Sequence, residues 1–238
     1  GRLWETISLG AEAFLSAPID ASDSNPGTGL LQPIQDPIAV MGQAFVRGTF
    51  GEQVFTLGRQ RIDKPFLNGN ESRMLPNTFE AATWDGRWQQ GRFFAGYVDK
   101  IKVRNSDEFI SMGRRAGVEG SNEGLWELGG RYEWGGGNYL GLITSIVPDI
   151  LSTTYSELDM RWGRGDWGFR VGAQLADQRS IGDDLIPGPS FDTQSLGARI
   201  SASINNLVFS AVVTSNGDEA AFRSPYGGYP GFNSLMIS

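Results

Sequence analysis

The chain has 238 residues, no cysteine, no histidine and a formal net charge of −7. Disulfides, zinc–thiolate sites, histidine metal sites and the histidine-dependent nucleophilic mechanisms are thereby excluded. An acidic chain without a basic stripe does not fit a nucleic-acid binder, and 39% hydrophobic content is too high for a disordered one.

Glycine, at 33 residues, is well above its usual share, and no apolar run approaches the roughly 18 residues of a membrane-spanning helix. The informative pattern is alternation with a period of two. It begins near the start, where Ile7, Leu9, Ala11, Ala13 and Leu15 oppose Thr6, Ser8, Gly10 and Glu12. It returns in Trp126, Leu128, Gly130, Tyr132 and Trp134 against Glu127, Gly129, Arg131 and Glu133. Further on, Trp167, Phe169, Val171, Ala173 and Leu175 oppose Gly168, Arg170, Gly172 and Gln174. Last, Leu196, Ala198, Ile200, Ala202 and Ile204 oppose Ser195, Gly197, Arg199, Ser201 and Ser203. On a helix, at about 100° per residue, these charges would scatter around the axis. The pattern predicts about eleven strands, at 4–15, 38–49, 53–61, 78–85, 91–103, 124–134, 138–147, 155–162, 167–177, 193–204 and 207–215.

The connections alternate in length. Short turns are predicted at Phe50–Glu52, Asp85–Arg87, Gly135–Gly137, Gly163–Asp166 and Asn205–Asn206. Long polar loops fall at 16–37, 62–77, 104–123, 178–192 and from 216 onward, with 148–154 intermediate. In an antiparallel meander, alternate connections lie at opposite ends, so this asymmetry is that of an outer-membrane barrel. Trp4, Trp84, Trp88, Trp134, Tyr139, Trp162 and Trp167 near strand ends fit aromatic girdles at the membrane interface. The expected fold is all-β: a transmembrane antiparallel up-and-down β-barrel, with residues 1–238 one partial domain. Alternation alone also permits a soluble β-rich binding module, for example one that stacks carbohydrate on exposed tryptophans.

Three segments carry a family resemblance. The stretch from Gly58 to Glu80, with Gly58-Arg59-Gln60 and Glu71-Ser72-Arg73-Met74-Leu75-Pro76-Asn77-Thr78-Phe79-Glu80 at its core, resembles the OprD family of outer-membrane porins. Phe222-Arg223-Ser224-Pro225-Tyr226-Gly227-Gly228-Tyr229-Pro230-Gly231-Phe232 is similar to an extracellular loop of that family. Leu9-Gly10-Ala11-Glu12-Ala13 with Gly27-Thr28-Gly29-Leu30-Leu31 fits an early strand and loop. The resemblance implies an eighteen-stranded barrel in the outer membrane of a Gram-negative bacterium. On it, this chain is expected to be a fragment that lacks early and closing strands. It also implies passive uptake of small carboxylate-bearing solutes, contact with outer-membrane lipid, a loose homotrimer, no enzymatic activity and no cofactor.

Selectivity in such a channel comes from the width and charge of its lumen. Alternation places Arg47, Arg131, Arg161, Arg170 and Arg199 on inward positions. Arginine suits carboxylates because its planar fork donates two parallel hydrogen bonds and stays charged. Against a solute-handling role stands a plainer one, ion pairing with Glu127, Glu133, Glu157 or Asp159 to brace the wall. Arg59, Arg61 and Arg73 lie in the family motif. Inward-folded loops of the family imply that Arg73 lines the constriction, with a loop-anchoring ion pair as the alternative. Tyr226 and Tyr229 are expected to pack their own loop rather than line a vestibule. Asp20, Asp23, Ser24 and Asn25 are rich in oxygen but lack EF-hand spacing, so no metal is expected. Gly135–Gly137 is a turn rather than a phosphate cradle.

Overall fold

The structure, a computed structural model, describes residues 6–19 and 29–230. Trp4, the Asp20–Asn25 loop, Gly27-Thr28 and Gly231-Phe232 lie outside the described residues. Twelve strands occur among those described: β1 Thr6–Ser16, β2 Ile38–Phe50, β3 Gln53–Gln60, β4 Thr78–Trp88, β5 Gly91–Lys102, β6 Phe109–Ser111, β7 Leu125–Glu133, β8 Tyr139–Val147, β9 Leu151–Arg164, β10 Trp167–Ser180, β11 Asp192–Ile204 and β12 Leu207–Asn216. Each follows its predecessor along one path of neighbours, except that β6 adds to β5, which is then followed by β7. A 3-10 turn at Pro33–Gln35 and a one-turn helix α1, Met112–Arg115, complete the elements.

Eleven of the strands are those the alternation predicts, and the differences have local causes. The turn expected at Asp85–Arg87 is still strand, because Trp84, Gly86 and Trp88 continue the alternation. The reversal comes at Gln89, whose φ is +53°. Strand β9 begins at Leu151, four residues earlier than predicted, so only 148–150 connect it to β8. β6 and α1 lie inside the loop predicted at 104–123, too short to show a period. Ser111 caps α1, its Oγ accepting from the Arg114 N–H at 3.2 Å.

Two compact units are distinguished. The first comprises the described part of Gly1–Trp84 with Gly96–Leu125 and Pro225–Gly228. The second comprises Asp85–Ala95, Trp126–Ser224 and the described part of Tyr229–Ser238. In the second unit the sheet has two unlike faces. On one, Leu128 is 67% exposed and Ile200 61%, and Leu140, Leu142, Met160, Leu175 and Leu196 are exposed beside them. Aromatics gather on that face near the short turns: Tyr132 stacks on Trp134, and Phe169 stacks on both Trp162 and Trp167. Along β10 the apolar positions run from Trp167 to Leu175 and give way to Asp177 and Arg179. That run matches the roughly 9–11 residues a tilted strand needs to cross hydrocarbon. On the other face Glu127, Asp159, Gln174 and Ser195 are buried.

The first unit repeats the division. Leu9, at 79% exposure, Val46 and Leu57 share one face, and Phe55 stacks on Trp84 there. The opposite face carries buried Thr56, Gln60 and Thr83, with Gln60 Oε1 accepting from Thr83 Oγ1 at 3.0 Å. Phe14, Phe79 and Val98 are buried, as are the loop residues Ile62 and Leu67 and Met112 of α1. A sheet with exposed leucine on one face and a buried polar face on the other is inside out relative to a water-soluble sheet.

Candidate functional site

The cross-strand register of the second unit sets out the polar face row by row. Asp159 of β9 lies opposite Tyr139 of β8 and Gly172 of β10, and Gly172 lies opposite Arg199 of β11. One row nearer the short turns, Arg161 pairs with Arg170 and Arg170 with Ser201. One row the other way, Arg131 pairs with Gly141, Gly141 with Glu157 and Glu157 with Gln174.

Three arginines converge on Asp159, which is 3% exposed. Arg161 Nε reaches Oδ1 at 2.9 Å, Arg199 Nη2 reaches Oδ2 at 3.2 Å, and Arg170 Nε reaches Oδ2 at 2.8 Å. Arg170 Nη2 donates to Oδ2 as well. Arg199 spans a whole strand to do this, passing over Gly172, which has no side chain to obstruct it. Three positive charges thus face one negative charge.

A second group lies beside the first. Glu133 Oε1 accepts from Arg131 Nη2 at 2.7 Å and forms an ion pair with Arg92 Nε at 3.0 Å. The Arg131 guanidinium sits 4.4 Å from the centre of the Tyr139 ring. Tyr139 is therefore on the polar face, where it backs an arginine, and does not belong to the expected girdle. A Cβ at Gly141 would meet Glu157 Cγ at 3.2 Å and Arg131 Cγ at 3.8 Å, so a glycine there lets the two side chains cross. Glu157 Oε2 accepts from the Tyr155 hydroxyl at 3.0 Å, and Glu127 is buried in the same face. Arg92 and Tyr155 were missed by sequence reasoning. Their signal was the same period of two.

The remaining candidates lie in the first unit. Arg47 is on the polar face and donates from Nε to Thr56 Oγ1 at 3.2 Å. Arg59 pairs with Glu80 at 2.9 Å and Arg61 with Glu12 at 3.2 Å, so both motif arginines are anchored. Arg73 is exposed on its loop, and the hydroxyl of the adjacent Ser72 accepts from Arg104 Nη1. The two motif segments far apart in sequence meet here. Asn68 Nδ2 donates to the Gly228 carbonyl at 3.0 Å, and the Gly228 N–H donates to Asn68 Oδ1 at 2.7 Å. Asn77 Oδ1 accepts from the Arg104 N–H at 3.0 Å. Tyr226 is buried, its hydroxyl donating to the Met112 carbonyl at 3.1 Å, and burial pushes its phenol above the ordinary tyrosine range. Tyr229, which belongs to the second unit, is only partly buried, with its ring edge-on to Phe222, and burial raises its phenol too.

An exposed apolar face, an aromatic belt at the short-turn end and an arginine-rich polar face are the parts of an outer-membrane channel. The sequence matches the outer membrane porin, OprD family, over residues 7–236. The chain belongs to the OprD family of outer-membrane porins. Its place is therefore the bacterial outer membrane, and its fold is that of the OprD antiparallel β-barrels. The family and the fold are those of channels, and the soluble carbohydrate-binding reading is not favoured.

Solved structures carry the same OprD-type fold. OpdK of Pseudomonas aeruginosa, solved with vanillate, has a TM-score of 0.78 at 20% identity, covering 92% of this chain and 58% of its own. OccAB2 of Acinetobacter baumannii has a TM-score of 0.78 at 20% identity, covering 98% of this chain and 60% of its own. OccK2 (OpdF) of P. aeruginosa, in complex with glucuronate, has a TM-score of 0.68 at 19% identity, covering 89% of this chain and 54% of its own. The chain thus spans a little over half the length of these structures. No curated protein matches it by sequence.

Proposed function

We propose that the protein is a substrate-selective porin for passive uptake of small solutes bearing a carboxylate, such as aromatic or other organic acids, amino acids or short peptides. In this reading residues 1–238 are part of one β-barrel domain, the exposed apolar face meets outer-membrane lipid, and the barrel assembles as a loose homotrimer. The observation that carries it is the three-to-one ratio of guanidiniums to carboxylate at Asp159. Bracing the wall needs one arginine per acid. Three on one acid concentrate guanidiniums on a face that solute would pass.

Arg131, Arg161, Arg170 and Arg199 are the residues proposed to pass a carboxylate along, with Glu133 and Asp159 holding the forks in place and Glu127 and Glu157 shaping the wall. Arg47 and Arg73, in the first unit, are proposed for the same role there. That vanillate and glucuronate, both carboxylates, were found with OpdK and OccK2 supports the same class here. Attraction at each step has to stay weak for conduction to continue, and guanidiniums already engaged by carboxylates satisfy that need.

The test is single-channel recording of the full-length protein in planar bilayers, titrating benzoate and arginine as blockers. Small discrete steps blocked by benzoate are expected. An Arg170→Gln, Arg199→Gln variant is expected to raise the half-blocking concentration by about tenfold, the weight of one lost charged hydrogen bond. Folded protein that inserts no channels would end the porin reading. Unchanged block in the variant would remove these arginines from the solute path.

A further inference from the structure

The apolar face of the second unit is not evenly filled. Phe169 of β10 lies opposite Ala202 of β11, and Ala202 opposite Phe209 of β12. One row further from the short turns, Val171 lies opposite Ile200 and Ile200 opposite Ala211. The two alanines stand among large side chains, and a groove of about 400 Å³ opens over them, walled by Phe169, Ile200 and Phe209 and reaching Trp162. Phe169 and Phe209 are two strand spacings apart, about 9–10 Å. That width admits one extended hydrocarbon chain and is less than the roughly 10–12 Å of a helix with its side chains. The groove runs from the row of Phe169 into the row of Ile200, away from the turn, as an acyl chain runs from its headgroup into hydrocarbon.

The end of the groove nearest the short turn carries charge. Arg164, the last residue of β9, lies opposite Trp167, so it stands on the same face one row beyond Trp162, about 7 Å along the strand. Asp166 follows in the turn between β9 and β10. Both are exposed, and among the described residues no ion pair or side-chain hydrogen bond holds either. The stacked rings of Trp162, Phe169 and Trp167 mark the level at which amphipathic rings meet lipid headgroups. A cation and an anion on one turn, at that level and at the mouth of an apolar groove, match a zwitterionic headgroup. We propose that the groove holds one phospholipid with an ammonium headgroup. Its acyl chain lies over Ala202 and Ala211, its phosphate on Arg164 and its ammonium on Asp166. The guanidinium donates to phosphate oxygens in parallel, and the ammonium donates to the carboxylate. A glycerol headgroup offers the same phosphate but no cation for Asp166. The site rests on the porin reading, since it needs this face to meet lipid.

The experiment is native mass spectrometry of the full-length protein, released from detergent micelles holding phosphatidylethanolamine and phosphatidylglycerol with matched chains. Channels are recorded on the same preparation, and each variant is shown folded by its heat-dependent mobility in SDS. The wild type is expected to retain one phosphatidylethanolamine about tenfold more tightly than phosphatidylglycerol, the weight of one charged hydrogen bond. Asp166→Asn is expected to abolish that preference. Arg164→Gln is expected to weaken both lipids about tenfold, and Arg164→Lys to recover part of the loss. Ala202→Leu fills the groove and is expected to weaken both lipids at unchanged conductance, because position 202 lies on the face opposite Arg170 and Arg199. Retention that is equal for the two lipids, greater for phosphatidylglycerol, or the same in the wild type and every variant overturns the proposal, while recorded channels still uphold the porin reading. A trimer that dissociates in Ala202→Leu with lipid retention unchanged also overturns it and gives the groove to a second copy of the chain. Folded wild type that forms no channels counts against the porin reading, and the order of lipid retention still decides the groove.

Discussion

Asp159 has two oxygens and accepts from three guanidiniums, so each acceptor site is shared. Its own side chain is buried, whereas those of Arg161 and Arg199 are 47% and 21% exposed. Removing the charge should therefore cost less than breaking a fully buried pair. For Asp159→Asn we expect a loss of about 1–3 kcal/mol, below the roughly 3–5 of a wholly buried partner. The three guanidiniums would then face the solute path without the Asp159 charge. Reversal potentials in a salt gradient should shift toward anion selectivity, and the barrel should unfold at lower temperature in SDS. A variant as stable and as selective as the wild type would show that Asp159 does not organise the group. The period of two made the shared face of Arg131, Arg161, Arg170 and Arg199 legible, because the face follows from position alone. It did not reveal that three of them share one acid. That depends on reach across Gly172, which no local pattern encodes.

At the scale of elements, strands and connections differ in how much the chain reveals. Strand β10 reads directly from Trp167 to Leu175, since each side chain reports its face. β6 and α1 do not, because three or four residues carry no period. The clasp between Asn68 and Gly228 joins positions 160 apart and has no local signature at all. This clasp closes the Pro225–Gly228 segment with two hydrogen bonds, and Tyr226 adds a third from a buried phenol. Asn68→Ala removes both amide bonds and leaves the Gly228 N–H in want of a partner, a cost of about 1–3 kcal/mol local to the loop. Proteolytic cleavage near Pro225–Gly228 should be faster in this variant while the strands stay resistant.

Alkaline pH should do the same to the wild type. Burial raises the folded phenol of Tyr226 above its unfolded value of about 10. Below that value both states are protonated and the contribution is intact. Above it the open loop ionises first and is favoured increasingly until the folded value is passed. Cleavage that is flat from pH 7 to 9 and rises beyond about 10 in the wild type, but not in Tyr226→Phe, is expected. Rates independent of pH in both would separate Tyr226 from loop closure.

The whole molecule has to satisfy a solvent on each face, and the two faces make opposite demands on the same substitution. Leu140 is exposed and lies in the row of Leu158 and Ala173, midway between the Trp162–Phe169 stack and Asp177. If that face meets hydrocarbon, Leu140→Lys places a charge near the middle of the bilayer and should cost about 2–4 kcal/mol. Thr214 lies on the opposite face of β12 from Phe209 and Val213, and Thr214→Lys should cost no more than about 0.5 kcal/mol, as an exposed substitution does. In a water-soluble protein the order would reverse. Lysine in place of an exposed leucine would improve solubility and leave stability nearly unchanged. Folding the full-length protein into lipid vesicles and titrating it with denaturant measures both variants on one scale. A cost at Leu140 that disappears when vesicles are replaced by short-chain detergent would locate the penalty in the hydrocarbon rather than in packing. Equal, small costs at both positions would mean that the apolar face does not meet lipid, whatever family the strands belong to.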